Sequence, residues 1–276
     1  MKVYQRTIPY DNDGDVFRLI PISDVHVGAS TCNMAEFERV LRKYGKAKNT
    51  YLIDNGDACD CIVKKDPKRY RASSVHPMFR GADDLLDGQM DWYCSMMEKY
   101  VEPGRLLGVA SGNHHDDILK YHDTDLTKRI AVRLKTDNLG YCYYYRLLFK
   151  REGKGYQELI VYGNHGWGEG GRTEGASVTK YCNHSRGIRG ARVFLYGHDH
   201  QRWTKGVPYA EPILDKVHAV DTLVADCGTF KMTLSKDEIP DYGETRGYPL
   251  RPIGVVVIEI TTPTDENPLF GLRGIV

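Results

Sequence analysis

Seven side chains with the repertoire of metal ligands occur at five places in the chain. They are Asp24 and His26, then Asp57, Asn113, His165, and finally His198 and His200. Imidazole, carboxylate and amide oxygen without thiolate suit Mn, Fe, Zn or Ni better than Ca or a structural Zn site. So many ligands exceed what one tetrahedral ion uses, and two ions sharing a carboxylate is the economical solution. Pairs of ions about 3.5–4 Å apart recur in phosphoester hydrolysis. In LYGHDHQRW (195–203) alone, a polar turn that holds histidines is an equally good reading. An extended chain there would aim His198 and His200 to one side. The recurrence carries the weight: counting His114 beside Asn113, five of the ten histidines stand at these places.

Each place follows a short apolar run: VFRLIPI (16–22), TYLID (50–54), RLLGVA (105–110), ELIVY (158–162) and RVFLY (192–196). Their length and their Val, Ile, Leu, Tyr and Phe content predict strands buried on both faces. Amphipathic helices are predicted between them. Asn33 and Glu36 make a capping-box start for the stripe Met34, Phe37, Val40, Leu41 and Tyr44. Leu86, Met90, Tyr93, Met97 and Tyr100 form a second stripe, and Leu126, Ile130 and Leu134 a third. From residue 139 strands dominate: LGYCYYYRLLF turns through Gly153–Gly155 into QELIVYG, and TLVADCGTF (222–230) and GVVVIEI (254–260) follow. Strand–helix alternation followed by strands predicts an α/β protein with more than one sheet, in one domain over 1–276. In open α/β sheets ligands bind beyond the carboxyl ends of strands, where these residues fall.

Composition is that of an ordinary globular protein: 276 residues, 41% hydrophobic, 27% charged, net charge +1. A neutral balance gives no whole-molecule signature for nucleic acid or membrane. Seven scattered cysteines, lacking paired zinc-type spacing, suggest reduced thiols. The polar start MKVYQRTIPYDNDGD lacks the apolar core of a signal peptide, and no run reaches the length of a membrane span. The expectation is a soluble, cytoplasmic protein with no membrane partner.

Taken in order, Asp24-Val25-His26, Gly56-Asp57 to Asp60, Gly112-Asn113-His114, the lone His165 and Gly197-His198-Asp199-His200 resemble the calcineurin-like metallophosphoesterases. The motifs cover residues 24–200. The resemblance implies a four-layer sandwich: two mixed β-sheets face to face, flanked by helices, with a dinuclear site at strand carboxyl ends. It implies that Asp24, His26, Asp57 and His200 hold one divalent ion. Asp57, as the bridge, would join Asn113, His165 and His198 around the other. Mn is the expected metal, with Zn, Fe and Ni as alternatives. A metal-bridging hydroxide would attack phosphorus, His114 would supply the leaving group's proton, and Asp60 would orient His114. The sequence departs from the family in one place. The residue after Gly-Asn-His is usually acidic, whereas here it is His115, read as substrate-facing or structural.

Two absences narrow the branch. Cys61 and Ile62 stand where protein Ser/Thr phosphatases have Arg-Gly, and Asp60 stands where purple acid phosphatases have a tyrosine ligand. Basic residues crowd the loop 61–81, where Arg69 and Arg71 are candidate substrate contacts and Tyr70, His76 and Phe79 candidate base-stacking groups. A solvated charged loop is the alternative. Arg172, in the glycine-rich loop 166–177, is a further candidate for phosphate. GNHHDDILKYHDTDLTKRIAVRL and GYPLRPIGVVVIEI resemble phosphoesterases of phage and prophage genomes. The expected function is therefore a phosphodiesterase or nuclease acting on nucleic acid or a nucleotide. A phosphomonoesterase on a small metabolite and a non-catalytic metal-binding scaffold are the alternatives.

Overall fold

The computed structural model describes all residues except 64–69, 154, 169–172, 174, 214, 236–241 and 266. Strands make two large mixed sheets. The first runs, in spatial order, β15 (Gly271–Ile275), β14 (Val257–Thr261), β2 (Val16–Ile22), β3 (Thr50–Asp54), β4 (Leu106–Ala110) and β5 (Asp137–Gly140). The second runs β1 (Val3–Pro9), β6 (Cys142–Lys150), β7 (Tyr156–Asn164), β8 (Val193–Tyr196), β12 (Leu223–Thr229) and β13 (Gly254–Val255), with β9 (Arg202–Gly206) also on β12. A separate hairpin joins β10 (Tyr209–Ile213) to β11 (Lys216–Val220).

The sheets meet through one buried cluster that takes Phe17, Leu19, Ile53 and Leu107 from the first and Tyr143, Tyr145, Leu159, Val161 and Leu195 from the second. Strands buried on both faces read as continuous apolar runs, which is why β2, β3, β4 and β8 are visible in the sequence. On the outer face of the first sheet lie α1 (Met34–Tyr44), α2 (Leu85–Tyr100), α3 (Asn113–His122) and α4 (Leu126–Arg133). Phe37, Tyr93, Met97 and Ile130 bury there. The second sheet's outer face carries α5 (Ala176–Arg186), where Tyr181 stacks on Tyr196 at 4.2 Å. A short α6 (Tyr242–Thr245) comes late.

Local signals explain the helix starts. Asn33 accepts a hydrogen bond from Glu36 N at 3.1 Å, but the Glu36 carboxylate turns outward to Arg39 instead of closing the capping box. Asp84 and Asp125 cap α2 and α4 in the same way.

Topology matters most for the site. β2, β3 and β4 are parallel neighbours, as are β7, β8 and β12. All six therefore release their following loops at carboxyl ends, the arrangement that builds ligand sites in α/β sheets. Among the described residues no helix is long and apolar enough to cross a membrane.

Candidate metal centre

Loops after β2, β3, β4, β7 and β8 bring the predicted ligands together. His26 Nε2 lies 3.1 Å from His200 Nε2, and His200 Nε2 lies 3.2 Å from Asp24 Oδ1. Beside them, His165 Nε2 is 3.1 Å from Asp57 Oδ2 and 3.2 Å from Asn113 Oδ1, which is itself 2.8 Å from His198 Nδ1. Asp57 offers an oxygen both to the group with Asp24 and His165 and to the group with His26 and His114. That shared position is the one a bridging carboxylate needs.

The way these loops achieve convergence differs from the extended geometry expected for His198 and His200. Both sit in the left-handed region, with φ of 70° and 55°, as do Asp24, His26 and Asp57. Non-glycine residues rarely hold this conformation, and it concentrates where function over-determines the backbone. Each kink turns a side chain inward that a continuing strand would send elsewhere. Glycine gives the clearance. A Cβ on Gly56 (φ +108°) would fall 2.5 Å from His165 Nδ1, and one on Gly112 would fall 2.1 Å from Asp57 Oδ1.

Hydrogen bonds fix the tautomers. His165 Nδ1 faces the carbonyl of Asn55 at 2.9 Å, and His198 Nε2 faces the carbonyl of Gly168 at 2.6 Å. A carbonyl only accepts, so those nitrogens carry the hydrogens. His26 likewise donates Nδ1–H to Asp60 Oδ1 at 3.1 Å. The opposite nitrogens (Nε2 of His26 and His165, Nδ1 of His198) present lone pairs to one another and to carboxylate oxygens. Asp24 Oδ1, fully buried, has no hydrogen-bond donor, while its Oδ2 accepts from Ser23 Oγ and His198 N. Converging lone pairs about 3 Å apart match the edge of a coordination polyhedron with ligands about 2.1 Å from a cation. The outer N–H bonds are the second set of contacts that orient ligating imidazoles. The residues fit divalent metal.

Electrostatics agree. Burial raises Asp57 and Asp24, yet nearby imidazoles outweigh it and hold both well below the usual carboxylate range. His165 is lowered by burial but raised overall, to about 10, by Asp57 and Asp24. Burial lowers His200 and His114 in the same cluster, so the attraction for positive charge is concentrated where Asp57 and Asp24 face His165.

Two predicted roles change. The Asp60 carboxylate serves His26, and its closest approach to His114 Nδ1 is 4.0 Å. It is the Asp60 backbone carbonyl, 2.5 Å away, that receives Nδ1–H of His114. His115 faces the core: 1% exposed, it accepts from Cys59 N at Nε2 and contacts Thr127 Oγ1 through Nδ1 at 3.0 Å. Both ring nitrogens are spent tying the Asp57 loop to α4, so none remains for substrate. Asp116 accepts from Ser111 Oγ.

The basic loop is only partly described. Arg69 lies outside the described residues, as does Arg172 in the glycine-rich loop. Arg71 is exposed and does not line the cleft at the metal centre. Phe79 is buried in the core and not presented for stacking, Tyr70 packs half-buried against that core, and half-buried His76 accepts from Met78 N to cap a turn.

Sequence reasoning missed Lys231. It follows β12, and its Nζ lies 3.1 Å from Asp60 Oδ1, making a Lys231–Asp60–His26 chain behind the ligands. The signal was present, since TLVADCGTF is a sixth apolar run and Lys231 stands at its exit. Breaking such outer contacts typically lowers metal affinity about 10–100-fold. Lys231→Met is expected to weaken metal binding, though less than Asp60→Asn, as measured by competition with a fluorescent chelator. Equal affinity in both variants and the wild type would overturn the positioning role.

No family model and no curated protein matches the sequence. Among solved structures, similarity is found to a conserved protein from Streptococcus pneumoniae described as a predicted phosphoesterase. Identity is 13% over 95% of this chain and 99% of that one, with a TM-score of 0.34. Vps29 of Chaetomium thermophilum is 11% identical over 94% and 96%, with a TM-score of 0.36. A metallophosphoesterase from Sphaerobacter thermophilus is 10% identical over 95% and 89%, with a TM-score of 0.38.

Proposed function

We propose that this chain is a dinuclear metal-dependent phosphoesterase, and specifically a phosphodiesterase that hydrolyses nucleic-acid or nucleotide phosphodiesters. The observation that carries the reading is the convergence of fixed-tautomer imidazoles on Asp24 Oδ1 and Asp57 Oδ2. Asp24, His26 and His200 would hold one ion, Asn113, His165 and His198 the other, with Asp57 between them. Bound divalent ions supply a water of lowered pKa and positive charge for the phosphoryl oxygens.

The chain's own residues do the rest. Asp60 O holds Nδ1 of His114, a residue grouped with His26 and Asp57, and leaves Nε2 as the ring's remaining nitrogen. Burial pulls the His114 pKa down to about 4, and an anionic phosphate beside it pushes the value back up. With Nδ1 held by the Asp60 carbonyl, Nε2 is the atom from which His114 would pass a proton to the departing ester oxygen. The adjoining cleft holds about 1110 Å³, larger than a small phosphate needs, which favours a diester with groups on both sides.

The test is hydrolysis of bis-p-nitrophenyl phosphate against p-nitrophenyl phosphate by metal-stripped protein supplied with Mn²⁺, with single-stranded DNA alongside. Faster diester turnover and DNA cleavage are expected. Monoester preference with intact DNA would move the substrate to a small phosphate. No turnover with any divalent metal would leave a binding scaffold.

A further inference from the structure

Part of the cleft lining has no role in hydrolysis. The segment Tyr248–Pro252 lines the same cleft as His26 and His114, together with Lys231 and Arg202. Three cations therefore line one cleft, and they differ in what they are bonded to. Lys231 is engaged with Asp60, and Arg202 donates Nη1–H to the Ile253 carbonyl at 2.7 Å. Arg251 is half-buried and makes no hydrogen bond or ion pair among the described residues.

Its backbone, by contrast, is well held. Pro249 and Pro252 fix φ on either side. Thr233 Oγ1 donates to the Pro249 carbonyl at 3.2 Å, and Ile253 is bridged to Thr229 at the end of β12. Arg251 is one of two cations opposing the rise that burial imposes on Asp226, yet no ion pair joins them. An anchored stem ending in an unbonded guanidinium is a group positioned for a ligand. The planar five-donor fork of arginine matches phosphate oxygens in pairs.

We propose that Arg251 binds a second phosphate of the substrate, neighbouring the one at the metal ligands, so that the preferred substrate is an oligonucleotide over an isolated diester. This rests on the phosphodiesterase reading.

The test compares the dinucleotide TpT with pTpT and TpTp, which add a phosphate at one end or the other, in the wild type, Arg251→Ala and Arg251→Lys. Turnover with Mn²⁺ gives kcat/KM, and calorimetry on metal-stripped protein gives Kd without turnover. One terminal phosphate is expected to raise kcat/KM and tighten Kd by about 10- to 100-fold, the scale of a charge-assisted pair. Arg251→Ala should erase that ratio and Arg251→Lys should restore part of it. An unchanged ratio in Arg251→Ala, or no gain from either phosphate in the wild type, would overturn the assignment. The two failures are separable. Turnover without phosphate preference removes Arg251's role and leaves the hydrolase. An Arg251-dependent Kd ratio without turnover removes the hydrolase and leaves the phosphate site.

Discussion

Exchanging Asp57 for asparagine is expected to reduce bound metal below one ion per chain and to lower phosphoester turnover by about 10³-fold or more. The argument is one of charge and placement. Asn can keep the bond that His114 N makes to Asp57 Oδ1, so the local fold has its anchor. What is lost is the second anionic oxygen, 3.1 Å from His165 Nε2, of a residue common to two of the three ligand groups found among the described residues. A neutral amide there cannot neutralise two cations, and several kcal/mol of transition-state stabilisation lost is on the order of 10³ in rate. Folding should survive at some cost, because His165 loses one of its two buried carboxylate partners and keeps the other, Asp24. Metal analysis of the dialysed variant beside its kinetics decides the matter. Two ions retained at wild-type affinity would refute the bridging position.

His114→Ala should give a different pattern. Metal content should stay at the wild-type level, while hydrolysis falls by about 10²–10⁴-fold, the usual reach of general acid–base catalysis. The loss should depend on the leaving group. Nitrophenolate departs readily without a proton, so its ester should suffer least, whereas a nucleoside alkoxide needs the proton and should suffer most. His114 Nε2 is the atom left free for that task, since Nδ1 is held by the Asp60 carbonyl. An equal loss for both esters, or metal lost along with activity, would make His114 a structural or ligating residue instead.

Legibility in the sequence followed the physics of each element. Strands buried on both faces are continuous apolar runs, so the carriers of Asp24, Asp57, Asn113, His165 and His198 stood out. β1 did not, because it is an edge strand whose residues are mostly exposed, with Gln5 and Arg6 in its middle. α3 was missed for another reason: its start is the ligand motif itself, and Asn113 and His114 form its first turn after Gly112. Roles that depend on direction were beyond reach. Whether Asp60 turns its carboxylate or its carbonyl to His114 depends on backbone angles that spacing does not encode. His115 turns inward because α3 places successive residues about 100° apart, so the neighbour of a site-facing histidine points at α4. Lys231 stands at the exit of a readable apolar run, but a lone lysine carries no motif to mark that it turns to Asp60.

The ligands come from both halves of the sandwich: Asp24, His26, Asp57 and Asn113 follow strands of one sheet, and His165, His198 and His200 follow strands of the other. His26 and His200, 3.1 Å apart, are separated by 174 positions of chain. An ion gripping both would be a cross-link closing a loop of that length. In the chain-entropy account a link on this scale removes about 5 kcal/mol from the unfolded ensemble. The seven cysteines of this protein are unpaired, so metal would be the stitch that disulfides provide elsewhere. A cell short of the ion would then lose more than turnover: the seam between the sheets would loosen, and the protein's lifetime would follow the metal supply.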